Sequence, residues 1–152
     1  MISIISGIIF ALGLIVYYLI SSNFKYTLIN FMNKYQIIED HQISEELSVP
    51  LEDIRKYMRM IAKKQKKNQW VIVCIKPRCV FYNANLIDTF IDLYNDGLNE
   101  KNIFNNLIQK FPIKSRAEIK AIEDVLIQHD KIDKRDFTTM KLLTSELKFS
   151  KK

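Results

Sequence analysis

The first charged side chain in this sequence is Lys25. All 40 charged residues, 23 basic and 17 acidic, fall in the 129 positions after residue 23. From Ile2 to Ile20 the run is apolar or small throughout, and as a helix it would span about 28 Å, close to one bilayer hydrocarbon core. It therefore predicts a transmembrane anchor over residues 1–23. A cleaved leader competes with this, but no Lys or Arg precedes the run, and Leu19 or Ile20 stands where cleavage wants a small residue. Tyr17 and Tyr18 sit at one end, with Lys25 and Lys34 beyond them. The positive-inside bias then puts the N-terminus outside and the remainder in the cytoplasm. Ser3, Gly7 and Ala11 share a face at the small-xxx-small spacing through which two membrane helices pack, which offers a homodimer.

The 129 residues after the head suffice for one ordinary domain or two small ones. With 48% hydrophobic residues, 3 Gly and 2 Cys, the chain is neither disordered nor a disulfide scaffold. Its surplus charge is local: residues 51–83 hold nine basic and two acidic side chains, a net +7 against +6 for the whole chain.

Phe24, Leu28, Phe31, Met32 and Tyr35 repeat with helical period, and so do Leu51, Ile54, Met58 and Ile61. Pro50 suits a helix start, and Glu52 and Asp53 complement the positive end of that helix's dipole. Residues 43–47 allow a short helix between these two. The β-rich runs 70–75 and 79–82 flank Lys76-Pro77-Arg78 and predict a hairpin.

The stretch from Ile43 to Ile61 resembles the winged helix-turn-helix family in its broad bacterial-regulator form. Ile43, Ser44, Leu47, Val49, Ile54, Met58 and Ile61 occupy the family's apolar and small positions, with Ser48 where its turn usually has Gly. Together with the first helix and the hairpin, the resemblance covers residues 24–83. It implies a helix presented to the DNA major groove and a wing beside it, and equally a protein-docking use. On that frame Arg55, Arg59, Lys63, Lys66 and Lys67 lie along or just after the presented helix, and Lys76 and Arg78 lie at the wing. Glu52 and Asp53 at the helix start oppose base reading, so phosphate contact is the expected mode.

Residues 86–95, 99–110 and 115–129 read as three further helices, with Gly97 as a C-cap and Pro112 as a breaker. Ser115-Arg-Ala-Glu118 reads as a capping box. A plain bundle is the first reading of residues 84–149, with a last short helix over 139–149. A second helix-turn-helix is the other, in which Arg116 and Lys120 would meet phosphate. Residues 150–152 form a polar tail.

No nucleophile motif or phosphate-binding glycine loop appears, so neither catalytic residues nor a cofactor are expected. His41 and His129 are too far apart in sequence to suggest a metal site. Cys74 and Cys79 are expected as free thiols, because a cytoplasmic domain faces a reducing compartment and because Pro77 does not adopt the positive φ that common two-residue hairpin turns require. The expected fold is mostly α: a transmembrane helix, a winged domain with a small β-hairpin, then an α-helical bundle. The expected function is a single-pass membrane protein whose cytoplasmic domain binds nucleic acid through phosphates. The alternatives are a tethered adaptor that docks another protein, with an apolar patch on residues 84–149, and contact of the basic face with anionic lipid.

Overall fold

The computed structural model describes residues 23–135. A helix, α1, covers residues 23–32 and buries Leu28 and Met32 completely. It is followed by β1 (Ile37–Glu39), α2 (Asp40–Leu47) and α3 (Leu51–Ala62). A 3-10 turn (Gln65–Lys67) leads to β2 (Val71–Ile75) and β3 (Arg78–Tyr82). The turn between α2 and α3 passes through Ser48 at φ 52°, ψ 38°, a left-handed conformation that costs a non-glycine residue about 1 kcal/mol. Ser44 supports it by donating its hydroxyl to the Val49 carbonyl at 2.7 Å. Beyond that turn the stripe Ile54, Met58, Ile61 faces inward and is buried.

The sheet has three antiparallel strands in the order β1-β3-β2. Strand β1 aligns Ile38 with Phe81, and β2 aligns Ile72 with Phe81 on the other side. Side chains alternate across the sheet. Ile72, Cys79 and Phe81 pack with α1, α2 and α3, whereas Val71, Val73, Val80 and Tyr82 pack against the helices that follow. Burial on both faces explains why these strands read as nearly continuous apolar runs.

Asn83 and Asn99 cap the next two helices, accepting the amides of Leu86 and Asn102. These helices are α4 (Ala84–Asn95) and α5 (Glu100–Leu107), and α6 (Arg116–Gln128) completes the second layer. Gly97, at φ 83°, ends α4 in the left-handed region that glycine enters freely. The junction at residues 83 and 84 is where β3 passes into α4, yet one sheet serves both helical layers.

Several expectations are corrected here. Among the described residues no helix is long and apolar enough to cross a membrane. The transmembrane assignment, and with it the orientation, the integral membrane partnership and the tether, therefore has no support. Its residues other than Asn23, with Ser3, Gly7 and Ala11, lie outside the described residues, as does the helix expected over 139–149. The β-hairpin gains a third strand, β1, so the helices enclose a sheet instead of forming a bundle beside a hairpin.

Cys74 and Cys79 are not free thiols; they face each other in register with Cα atoms 4.1 Å apart and form a disulfide. Neither Lys76 nor Pro77 between them has a positive φ, so the strands close in register without the conformation on which the opposite expectation partly rested. Ser115 does not cap α6 through its side chain, and Glu118 turns inward instead.

Candidate binding groove at the sheet edge

The charged residues sort into those consumed inside the fold and those left outside it. On the α3 face, Arg55 Nε donates to Asp40 Oδ2 at 2.8 Å and its Nη1 to Glu52 Oε1 at 3.0 Å. The same Asp40 oxygen accepts the Cys79 amide, so one carboxylate ties α2, α3 and β3 together. Hydrogen bonding to Asp40 is the main cause that raises the Arg55 pKa above its ordinary value.

Arg78 leaves β3 on the opposite face, alongside Val80 and Tyr82. There its Nη1 donates to Glu39 Oε1 at 3.1 Å and its Nη2 to Glu118 Oε1 at 2.9 Å. Lys114 also donates to Glu39, and the Tyr82 hydroxyl donates to Glu118 Oε2 at 3.2 Å. Burial first, then the Glu118 charge, pushes the Tyr82 phenol well above its ordinary pKa. Desolvation opposes the charge on Arg78, and Glu118 and Glu39 more than offset it, so its pKa is raised. The network spans β1, β3 and the start of α6, fastening the two helical layers across the sheet.

These pairings take apart the expected phosphate-binding face. Arg55 and Arg78 lie on opposite sides of the sheet, and drawing either out would abandon the buried carboxylates of Asp40, or of Glu39 and Glu118, a loss of several kcal/mol. Lys66 pairs with Asp130 at 2.5 Å, and Lys120 with Asp124 at 3.0 Å. Lys67, Lys76 and Arg116 are exposed at three separate places: the 3-10 turn, the hairpin tip and the first residue of α6. The nucleic-acid assignment accordingly has no support in this arrangement. Nor do residues 84–135 show the apolar patch of the adaptor alternative, since Ile108 is their one exposed large hydrophobic residue.

Arg59 and Lys63 are the two expected site residues that come together. They form one wall of a groove of about 400 Å³ at the free edge of β2, and Val125, Gln128 and His129 from the end of α6 form the other. Gln65, Ile72 and Cys74 make the floor. Lys66 to Asp130 and Lys131 to the Asn68 carbonyl tie the turn after α3 to the end of α6, which fixes the spacing of the walls. Burial lowers the Lys131 pKa.

The floor has an unusual polar finish. Gln65, itself buried, accepts the Ile72 amide at 2.7 Å and donates to the Ile72 carbonyl at 3.0 Å. Its side chain thereby takes the place of a fourth strand for one residue. Ile72 points its backbone groups away from β3, and by the two-residue period so does Cys74. The Cys79 amide, opposite Cys74, goes instead to Asp40 on the β1 side, as that pairing requires. Cys74 makes no loop, turn or side-chain hydrogen bond among the described residues, and the register turns its amide and carbonyl away from β3, toward the edge that the groove borders.

Sequence reasoning reached Arg59 and Lys63 but missed Gln65, Cys74 and the α6 wall. Gln65 did leave a signal: Ile54, Met58, Ile61 and Gln65 continue one stripe, so a polar amide stands where the pattern demands burial. Comparison with family models, curated proteins and solved structures gives no match to this chain.

Proposed function

We propose that residues 23–135 are a winged helix-turn-helix module that docks a segment of another polypeptide in the groove at the free edge of β2. The order helix, strand, helix, helix and two-stranded wing, with β3 central, supports the winged reading. The observation that carries the docking role is the pair of unmatched backbone groups on Cys74, set on the floor of a walled groove instead of being capped as those of Ile72 are. Edge strands left open in this way pair readily with an added strand. The module works by binding and needs no catalytic group.

Selection of random peptides displayed against the full 152-residue chain tests this. A consensus should emerge that the double variant Arg59→Glu, Lys63→Glu fails to capture. A consensus captured equally by that variant would place binding elsewhere, and the absence of any enrichment would contradict docking altogether.

A further inference from the structure

The two walls of the β2 groove differ in chemistry, and a strand laid between them would present alternate side chains to each. Arg59 and Lys63 on the α3 wall have no carboxylate within salt-bridge distance among the described residues, and the groove lining contains neither Asp nor Glu. On the α6 wall Val125 supplies apolar surface beside Gln128 and His129. The floor offers one N–H and one C=O from Cys74, flanked by the position that Gln65 has already filled.

Building on the docking reading, we propose that the ligand is an extended peptide in which carboxylates alternate with aliphatic residues. One of its residues would exchange both backbone hydrogen bonds with Cys74 and extend the sheet to a fourth strand. A helical ligand satisfies its own backbone groups and would leave those of Cys74 unpaired. An extended one satisfies them, and the two-residue period of its side chains turns carboxylates toward Arg59 and Lys63 and aliphatic groups toward Val125.

Other occupants fit less well. A second copy paired edge to edge would bring two sets of Arg59 and Lys63 together. The chain's own residues 136–152 carry four basic and two acidic side chains, a net +2 that mismatches the wall. Complementary charge across the groove also raises the association rate and suppresses cationic competitors.

Fluorescence anisotropy on the full chain, using a labelled, end-blocked octapeptide of alternating Glu and Val, tests the inference. The expected result is binding at least about tenfold tighter than that of the matching Lys-Val octapeptide, weakening as salt is raised. Proline in place of a central glutamate removes a donor, and across the series of such peptides one position should lose at least about tenfold in affinity relative to alanine at the same position. Arg59→Glu with Lys63→Glu should reverse the preference between the Glu-Val and Lys-Val peptides, with circular dichroism confirming that the double variant is folded.

Equal binding of the two peptides would overturn the acidic assignment. Indifference to proline at every position would overturn strand addition. A dimer in sedimentation that the double variant abolishes would give the edge to a second copy. If the display selection yields a different consensus while the Glu-Val peptide stays unbound, this inference fails and the docking reading stands; if neither binds, both fail.

Discussion

On the β1 side of the sheet, Glu39, Arg78, Lys114 and Glu118 close upon one another, and Tyr82 adds its hydroxyl to Glu118. On the β2 side, Arg59 and Lys63 stand in solvent, and one strand residue keeps its backbone groups unmatched among the described residues. Both regions join α6 to the first helical layer, but by different physics. The buried network holds charges whose separation would be heavily penalised in a poorly solvated interior, so it contributes rigidity and register. Beyond the position that Gln65 fills, the open edge contributes little to folding and leaves the polar groups of Cys74 free to meet a ligand. A concentration of positive charge in sequence therefore does not define a surface. Of the nine basic residues in 51–83, Arg55 and Arg78 are internal fastening, Arg59 and Lys63 share a groove wall, and the other five are spread over separate exposed positions.

The largest expected effect comes from breaking the closed side. Arg78→Met leaves Glu39 and Glu118 without their shared guanidinium and should lower unfolding free energy by about 3–5 kcal/mol, read from urea denaturation. Next is Gln65→Leu, which keeps the stripe apolar but strips the Ile72 amide and carbonyl of partners. A loss of about 2–4 kcal/mol is expected, and a loss near zero would mean that water replaces the amide.

Tyr82 supplies a pH test of the same contrast. Its pKa is raised in the folded state, so its contribution is whole below the free-phenol value of 10.0 and is lost as pH rises above it. In that range the unfolded chain releases the proton first, and stability should fall by about 1.4 kcal/mol per pH unit from this group. Tyr82→Phe should flatten the slope. The smallest effect is expected on the open side: Arg59→Glu with Lys63→Glu should change stability by no more than about 0.5 kcal/mol while removing peptide binding. A large destabilisation there would erase the distinction between the two regions.

Much of the architecture was legible in sequence because it rests on local signals. The stripe Ile54, Met58, Ile61, Pro50 ahead of it and the β-rich runs around Lys76 and Pro77 place α3, β2 and β3 within a residue or two. Strand β1 was not legible, since three residues carry no period. The partners of Arg55 and Arg78 were not legible either. Asp40 is 15 positions from Arg55, and Glu39 and Glu118 are 39 and 40 from Arg78, distances that leave no mark in spacing. Glu118 misled because a capping glutamate and a buried glutamate occupy the same place in the motif. Of the candidate site, Arg59 and Lys63 could be found from charge; the Cys74 edge needed the strand order, which only the fold supplies.

Hydrogen exchange of single backbone amides, followed by NMR, tests the open edge most directly. In the free chain the Ile72 amide should be protected by Gln65 and the Cys74 amide should exchange fast. Saturation with the Glu-Val octapeptide should slow Cys74 at least about tenfold and leave Val80, in the sheet interior, unchanged. A Cys74 amide as protected as Ile72 in the free chain, or one that stays fast in the saturated complex, would contradict the assignment of this edge as the binding site.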